Sequence, residues 1–453
     1  MADYRATLDG LFARRRFGIR PGLEVVRALL AAHDHPELRF PSVHITGSKG
    51  KGSTAACTEA ILRAHGLRTG LFTSPHLASY RERMQVDRRP ISKAEVVAGV
   101  ARVDATATRL LAEGGIDRAP TFFEATTVVA LDWFAAAPVD VGVIEVGMGG
   151  RLDSTNVLAS RVGVITTIEL EHTELLGSTV EAIATEKSGI LHRGMTGVIG
   201  SLPAGARHVV EETAGRLGVP LWRLGREIAI DQRTLSEEGQ RFDLQLPGAT
   251  VPGVRLPLWG TFQAANAALA TAAAARFLSS LDRPLSPART RRGLAGVRWR
   301  GRLEPIRRRP DLYYDVAHTP DSARAVAESL GEMFPLADPD ESVIVFGVLK
   351  GKDVDRILDA FSPLAHTLVV VPVRSERSVR PSELRAHAIG RFPRIVEART
   401  AEEGVRLGRA ATGAEGFTLV VGSDYLVGEL LREASSEEPD LSDPGVEVAE
   451  PRR

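Results

Sequence analysis

The first residues with a clear chemical use lie in a glycine-rich segment, HITGSKGKGST, at residues 44–54. Its glycines would let backbone N–H groups approach phosphate oxygens at the positive end of the following helix. The Lys51 ammonium could neutralise the β- and γ-phosphates of a nucleotide, and the Ser53 hydroxyl could bind Mg²⁺. The spacing is G-x-x-G-K-G-S, not the common G-x-x-x-x-G-K-[ST], and the alternative is a tight turn with a solvated lysine. Because an apolar strand precedes the segment and a helical pattern follows it, we predict a phosphate-binding loop.

A carboxylate ends an apolar run in the segment DVGVIEVGMGGRLDSTN, residues 140–156. Burying an unpaired carboxylate is costly unless it binds a cation, so Glu145 is predicted to be a ligand of Mg²⁺. Gly147, Gly149 and Gly150 could instead suggest a dinucleotide-binding turn. That alternative is disfavoured, because no acidic residue follows a first βαβ unit at the spacing such a site requires.

A proline-containing segment, TSPHLASYRERMQV at residues 73–86, carries two arginines. A loop stiffened by Pro75 could hold Arg81 and Arg83 toward a substrate that bears a carboxylate, since guanidinium groups bind carboxylates through paired hydrogen bonds. The alternative is an ordinary surface loop.

Short apolar runs that alternate with helical patterns must position these groups. This alternation is typical of βαβ units around a mainly parallel sheet. In the first part of the chain we predict strands at residues 40–46, 139–146 and 162–168 and a helix at 53–64. Residues 226–258 are polar, alternating and punctuated by glycine and proline, which predicts an antiparallel hairpin. A second α/β series should begin near residue 302, with strands at 312–316, 342–346, 367–371 and 418–421.

Composition is that of an ordinary globular protein and disfavours some partners. Of the 453 residues, 43% are apolar and 25% charged, and the 57 basic and 57 acidic residues balance. A balanced charge gives no general attraction to nucleic acid or to an anionic membrane, so small-molecule substrates must meet local basic residues. The sequence has no evident secretory signal or membrane span, and Cys57 is its single cysteine, so we expect a cytoplasmic protein.

These three segments, with five further ones, resemble the folylpolyglutamate synthase and dihydrofolate synthase family of the Mur ligase superfamily. The resemblance runs from Tyr4 to Leu431 and follows the family's order. The further segments are PTFFEATT (120–127), ELEHTELLGSTVEAIATEKSGI (169–190), LWGTFQAANAALA (258–270), WRGRLEPI (299–306) and YYDVAHTPDSA (313–323). VFGVLKGKD (345–353) and VVGSDYLVGEL (420–430) also match.

This resemblance implies an α/β fold of two domains with the active site between them. An N-terminal P-loop ATPase-like Mur ligase domain with a mainly parallel sheet, residues 1–297, would bind ATP and folate. A smaller C-terminal Rossmann-like α/β domain, residues 298–434, would be the glutamate-ligase domain, and the acidic residues 435–453 are predicted to be a disordered tail. The implied reaction is the ATP-dependent addition of L-glutamate to dihydropteroate or to a folate carboxylate through an acyl phosphate, by a monomer.

The resemblance also assigns roles to individual residues. It implies two Mg²⁺ sites, with metal ligands at Ser53, Ser74, Glu145 and His172. It implies ATP contacts from Gly47, Gly50, Lys51, Gly52, Ser53, Gln263, Asn266, Arg302 and Asp315. The implied folate and glutamate contacts are Arg81, Arg83, Phe123, Asp153 and Ser423, and the implied catalytic residues are Lys51, Lys187 and His318. Lys187, by its sequence alone a surface lysine at a helix end, would carry a carbamate formed with CO₂.

The chain departs from the family pattern in places. It has Glu-Leu-Glu-His at residues 169–172 where the family has Gly-Leu-Asp-His, and Phe262 where a histidine is common. Val316 and Thr319 replace a glycine and an asparagine beside the expected glutamate site. The choice of acid, the choice of amino acid and the length of the product therefore stay open. The alternatives are a Mur-type ligase that acts on another carboxylate and a regulatory ATPase.

Overall fold

The described part of the chain folds into three β-sheets and the helices that cover them, as seen in a computed structural model. The structure describes residues 3–14, 18, 20–236, 238–308 and 311–433, and the predicted acidic tail lies outside them. In these ranges none of the helices has the length and hydropathy needed to cross a membrane.

The first sheet has eight strands and is mainly parallel. Its strands are β1 (Ser42–Thr46), β2 (Thr69–Phe72), β3 (Met84–Val86), β4 (Arg89–Pro90), β5 (Val141–Glu145), β6 (Val162–Ile165), β7 (Thr196–Ile199) and β8 (Leu221–Arg223). They lie in the order β4-β3-β2-β5-β1-β6-β7-β8. The pairs β2 with β3 and β3 with β4 are antiparallel, and all the other pairs are parallel. β1, β5 and β6 are buried at every position, as expected for strands with both faces covered. The strands predicted at 40–46, 139–146 and 162–168 are therefore present, each a few residues shorter.

Helices connect and cover these strands. They are α1 (Tyr4–Ala13), α2 (Glu24–Ala32), α3 (Lys51–Ala64), α4 (Lys93–Ala112), α5 (Phe122–Ala136), α6 (Thr173–Leu176), α7 (Val180–Ser188), α8 (Ala204–Leu217), α9 (Thr261–Ser279) and α10 (Pro287–Ala295). Short 3-10 turns lie at Pro36–Leu38, Tyr80–Arg83 and Pro339–Glu341. The alanine-rich α9 is buried along most of its length against α3, so that a helix without a polar face forms part of the core.

The predicted hairpin is a three-stranded antiparallel sheet. Its strands are β9 (Ala229–Ser236), β10 (Gly239–Leu246) and β11 (Ala249–Leu256), in the order β11-β10-β9. The antiparallel pairing was predicted, but the structure adds a third strand, β11, which contains Pro252 and Gly253. Both lie on exposed positions of the edge strand β11, where a missing backbone donor costs little.

The C-terminal sheet has six strands with helices around it. Its strands are β12 (Glu304–Arg307), β13 (Asp311–Tyr314), β14 (Val343–Phe346), β15 (Thr367–Val370), β16 (Arg394–Glu397) and β17 (Phe417–Val421). Its helices are α11 (Pro320–Met333), α12 (Val354–Phe361), α13 (Pro381–Ala388), α14 (Ala401–Ala411) and α15 (Asp424–Glu433). The strand order is β12-β13-β17-β14-β15-β16, and all pairs except β12 with β13 are parallel. The four strands predicted from sequence are β13, β14, β15 and β17.

Strand register brings the chemical groups to the carboxyl edges of the two parallel sheets. In the first sheet Ile45 pairs with Glu145, so the loop after β1 begins beside the carboxylate that ends β5. In the C-terminal sheet Tyr314 pairs with Val420, which places the residues after β13 and β17 side by side. Ligands of open α/β sheets bind at this kind of edge.

The loop at residues 73–86 touches the C-terminal sheet's last helix. A Cβ added to Gly428 of α15 would lie 2.3 Å from the Leu77 carbonyl oxygen, so only glycine permits this approach. Arg432 Nη1 also donates to that oxygen, at 3.2 Å. The two sheets are therefore joined directly at the loop predicted to bind the acid substrate.

Candidate active site

The glycine-rich segment forms a compact loop between β1 and α3. Gly47 and Gly50 have positive φ angles, of 149° and 82°. A Cβ on Gly47 would lie 1.9 Å from Thr166 Oγ1, and one on Gly50 would lie 2.3 Å from Asn266 Oδ1. Lys51 Nζ donates to the Gly47 carbonyl at 2.7 Å, so the ammonium lies across the loop. The predicted strand, loop and helix are all present, although the helix begins at Lys51 rather than Ser53.

The end of β6 fixes this loop, which the sequence did not indicate. Thr166 Oγ1 donates to the Lys49 carbonyl at 2.5 Å, and the Lys49 N–H donates to Thr167 Oγ1 at 2.9 Å. The Ser48 N–H also donates to the Thr167 carbonyl at 2.8 Å. These bonds keep the loop in one conformation before any ligand binds.

Glu145 is buried at the end of β5, 3% exposed, as a cation ligand should be. One of its oxygens accepts from the Ser74 N–H at 2.9 Å, which links the loop at 73–86 to the phosphate loop. Burial raises the pKa of Glu145 to about 7, and nearby cations, Lys51 first among them, only partly offset this. Such an incompletely compensated carboxylate fits a divalent cation.

The other predicted metal ligands are less closely gathered. Ser53 is buried in the first turn of α3. His172 is exposed and has a left-handed φ of 47° just before α6. Within the described residues, no group of three or more His, Cys, Asp or Glu side chains is placed to hold a metal ion. The residues present therefore offer one buried carboxylate with Ser74 beside it, which suits a magnesium ion that would take its other ligands from water and the nucleotide.

Lys187 is buried, 1% exposed, so its interpretation as a surface lysine was wrong. Its Nζ donates to Glu171 Oε1 at 2.9 Å, a pairing between residues 16 positions apart that local sequence cannot show. Burial lowers the pKa of Lys187 to about 8, against the opposing effect of the Glu171 carboxylate. The departure at 169–172 thus supplies the partner of this lysine.

The two arginines of the loop at 73–86 make internal contacts. Arg83 is buried, its Nε donates to His76 Nδ1 at 2.7 Å, and its guanidinium lies 5.1 Å from the centre of the Phe122 ring. Arg81 Nε donates to the Ile91 carbonyl at 2.6 Å. These contacts position the loop, and direct binding of a substrate carboxylate by either arginine stays a prediction.

Phe123 and Asp153 both contact the turn after β5. The Phe123 ring is half-buried and would lie 2.5 Å from a Cβ on Gly147, so this glycine makes room for the ring. Asp153 accepts from the Met148 N–H at 2.9 Å and from the Thr155 N–H at 3.0 Å. The carboxylate therefore shapes the turn, and its contact with a pterin stays a prediction.

The start of α9 faces the phosphate loop. Gln263 and Asn266 are buried, and Asn266 Nδ2 donates to Gln263 Oε1 at 3.1 Å. Gln263 Nε2 has no hydrogen-bond partner among the residues that the structure describes. A buried amide donor without a partner is a candidate contact for a ligand, which agrees with the predicted role at ATP.

The C-terminal sheet contributes residues at its carboxyl edge. Asp315 accepts from the Leu303 N–H at 2.8 Å and from the Ala317 N–H at 2.7 Å. Burial raises the pKa of Asp315, and the Arg302 guanidinium opposes this rise, as it also does for Glu145. Arg302 thus brings a positive charge from this sheet to the phosphate loop.

His318 and Ser423 lie further along the same edge. His318 Nδ1 is 2.9 Å from the Val316 carbonyl, and burial lowers the pKa of His318 to about 4. Because a carbonyl only accepts, Nδ1 carries the proton and the neutral ring presents the lone pair of Nε2. Ser423 is buried, and its hydroxyl accepts from the Tyr425 N–H at 3.1 Å.

Three charged residues of this cleft were given no role from sequence. Burial and the Lys49 ammonium lower the pKa of Lys352, while the Asp424 carboxylate opposes them. Lys49 belongs to the phosphate loop, whereas Lys352 and Asp424 follow strands of the C-terminal sheet. The available signal was that Lys49, Lys352 and Asp424 lie in the matched segments 44–54, 345–353 and 420–430, respectively.

Comparisons with known proteins identify this arrangement. The Mur ligase middle domain matches residues 45–274, and the Mur ligase glutamate ligase domain matches residues 301–423. A dihydrofolate synthase/folylpolyglutamate synthase of Mycobacterium tuberculosis is 38% identical over 388 residues, covering 83% of this chain and 79% of that protein. The chain belongs to the folylpolyglutamate synthase and dihydrofolate synthase family. The Bacillus subtilis member is 34% identical over 367 residues, covering 81% of this chain and 84% of that protein.

Solved structures of the family agree with the fold. The Mycobacterium tuberculosis folylpolyglutamate synthase complexed with ADP has a TM-score of 0.87 at 33% identity, covering 96% of this chain and 100% of that chain. An FPGS–AMPPCP–folate complex has a TM-score of 0.80 at 31% identity, with the same coverage of both chains. The predicted α/β fold and the predicted class, an ATP-dependent ligase of the Mur type, are confirmed.

Proposed function

We propose that this protein joins L-glutamate to a folate-type carboxylate at the expense of ATP, through an acyl phosphate. One observation carries the proposal. The phosphate loop with Lys51, the buried Glu145 and the loop at 73–86 meet at one sheet edge, and Arg302 reaches that point from the other sheet. A site of this kind can hold a nucleotide, an acid and an amino acid at once, which a regulatory ATPase would not need.

ATP would lie on the loop from Gly47 to Ser53, with Gln263 and Asn266 at its side. Ser53, Ser74, Glu145 and His172 would hold the two magnesium ions, whose positive charge polarises phosphoryl oxygens. Lys51 and Arg302 would offset the negative charge that develops on the transferred group.

The acid's carboxylate attacks the γ-phosphorus of ATP, and ADP leaves. The amine of glutamate then attacks the acyl carbon, and phosphate leaves as the amide forms. The amine must lose a proton before or during this attack. Neutral His318 presents Nε2 in the same cleft and is the residue that we assign to accept this proton.

Lys187 would carry a carbamate, formed when its neutral amine adds to CO₂ with loss of a proton. A pKa of about 8 leaves part of this amine neutral near pH 7 to 8, as the addition requires. The carbamate would convert a buried cation into an anion beside the metal ligands. Carbon-13 NMR with labelled bicarbonate should give a carbamate signal that is absent from Lys187→Ala, and equal spectra of the two proteins would rule it out.

Further parts of the proposal concern the whole chain. We assign the ATP and folate functions to residues 1–297 and glutamate binding to residues 298–434, in a monomer located in the cytoplasm. The acids would be tetrahydrofolate and dihydropteroate, since the relatives carry names for both activities.

A substrate panel tests the proposal. Purified protein with ATP and magnesium is given tetrahydrofolate, dihydropteroate or a cell-wall precursor acid, each with L-glutamate or L-aspartate, and products are identified by mass spectrometry. We expect at least one added glutamate with each pterin acid. Products from the cell-wall acid alone would favour the other Mur-type ligase, and a preference for aspartate would assign an effect to Val316 and Thr319.

A further inference from the structure

A cavity of about 340 Å³ lies at the edge of the first sheet opposite the phosphate loop. Its lining residues are Arg161, Gly194, Thr196, Arg276, Ser279 and Ser280. They come from the beginnings of β6 and β7 and from the end of α9. Because the phosphate loop follows the carboxyl end of the parallel strand β1, this cavity is separate from the active site.

Two guanidinium groups line the cavity without a carboxylate to balance them. Arg161 Nη1 donates to the Ser280 carbonyl at 3.0 Å and lies 3.2 Å from Ser280 Oγ. The Arg276 guanidinium lies 4.9 Å from the centre of the Trp222 ring. Neither arginine forms an ion pair with a described residue, whereas Arg151, Arg223 and Arg233 each pair with a glutamate. The cavity therefore carries an uncompensated positive charge.

Two of the three hydroxyl groups that line the cavity, those of Thr196 and Ser279, can add donors, because the Ser280 hydroxyl already donates to the Phe277 carbonyl at 2.7 Å. Thr196 Oγ1 is buried and has no hydrogen-bond partner in the part of the chain that the structure describes. The carbonyl end of α9 contributes about half a negative charge, which is less than the two guanidinium charges. Guanidinium groups with hydroxyl donors around them suit the several oxygens of a phosphate group. A cavity of this volume is within the range that holds small-molecule ligands.

We propose that this cavity binds an oxyanion, the phosphate group of a small molecule, between Arg161 and Arg276. The site is distinct from that of ATP and uses no residue of the proposed reaction. It lies at one end of α9, whose other end carries Gln263 and Asn266 beside the phosphate loop.

Trp222 fluorescence tests the proposal, because its ring stacks under Arg276. The intact protein is titrated with inorganic phosphate and, separately, with sodium chloride at matched ionic strength. We expect a saturable change with phosphate alone, and its absence from Trp222→Phe. The same titration of Lys51→Ala keeps the change, since that variant alters only the phosphate loop.

Two variants locate the binding. Arg161→Gln, which does not touch the tryptophan, should weaken phosphate binding at least tenfold, and Arg276→Lys should weaken it less. Arg216→Gln, an exposed arginine at the end of α8, should bind as the unchanged protein does. Thermal unfolding of each variant checks that it is folded. No saturable change, an equal response to chloride, loss of the change in Lys51→Ala, or full binding by Arg161→Gln would each overturn the proposal.

Discussion

At the scale of single residues, Lys51 is the group on which ATP use depends most directly. Its Nζ donates a hydrogen bond to the Gly47 carbonyl, within the loop that we expect to bind the phosphates. Its positive charge also opposes the rise that burial causes in the pKa of Glu145. A fixed cation at a transferring phosphoryl group commonly contributes about a hundred- to a thousand-fold in rate. We expect Lys51→Ala to fold normally and to lose ADP formation by that factor. Lys93→Ala, an exposed lysine at the start of α4, is the control, and near-normal turnover by folded Lys51→Ala would contradict the assignment.

His44 predicts how stability depends on pH. It is buried in β1, Nε2 lies 2.8 Å from Thr155 Oγ1, and burial lowers its pKa from 6.5 to about 3. Below pH 6.5 His44 is protonated in the unfolded chain, whereas in the folded chain it stays neutral down to about pH 3. The free energy of unfolding should therefore fall, by at most a few kcal/mol, as pH drops through this window. The free energy of unfolding of His44→Gln, measured by urea titration at several pH values, should fall less steeply with decreasing pH than that of the unchanged protein, whatever the variant's stability at neutral pH. An identical dependence on pH in the two proteins would contradict this.

At the scale of elements, the features that could be predicted from the sequence are those that a local residue pattern determines. The strand at Val141–Glu145 was predictable because an apolar run ends in one carboxylate, and the phosphate loop because glycines separate a strand from a helix. The burial of Lys187 was not predictable, since it depends on Glu171 across a loop. The hydrogen bond from Thr166 to the phosphate loop was not predictable either, because it depends on the parallel pairing of β1 with β6.

The two ends of α3 offer a matched test of the phosphate loop. Gly50 and Gly66 have similar φ angles, of 82° and 84°, so alanine is strained by roughly 1–2 kcal/mol at either. A Cβ at Gly50 would also lie 2.3 Å from Asn266 Oδ1, whereas one at Gly66 meets nothing within 4 Å. We expect both variants to lose similar thermal stability from strain, and Gly50→Ala alone to bind ADP at least tenfold more weakly by calorimetry. Equal ADP affinities would show that the approach of α9 to the loop is unimportant.

At the scale of the whole molecule, the contact between the two sheets should control the acid's site. Alanine at Gly428 would push against the Leu77 carbonyl oxygen, whereas alanine at Gly331 of α11 meets nothing within 4 Å. Both glycines are inside helices, so propensity alone favours alanine at each by about 1 kcal/mol. We expect Gly428→Ala to lower kcat/KM for the pterin acid several-fold while ADP affinity is kept, and Gly331→Ala to be unaffected or more stable. Loss of ADP affinity with unchanged kinetics for the acid would contradict this.

The two-sheet arrangement was the part of the site least visible in the sequence. Glu145 and Arg302 were identified in separate motifs, and the sequence alone did not show that the two charges interact across the cleft. Lys352 and Asp424 lay within matched segments, yet the electrostatic interaction of Lys352 with Lys49 depends on how the two sheets pack together. Such contacts join residues far apart in the chain, for which no local pattern exists.

The transfer of oxygen from the acid to phosphate tests the central claim most directly. Tetrahydrofolate labelled with oxygen-18 in its γ-carboxylate is incubated with the protein, ATP, magnesium and L-glutamate, and the released phosphate is analysed by mass spectrometry. An acyl phosphate requires one labelled oxygen in each phosphate, and no phosphate release when the acid or glutamate is omitted. Unlabelled phosphate, or ADP release that needs neither substrate, would contradict the ligase mechanism.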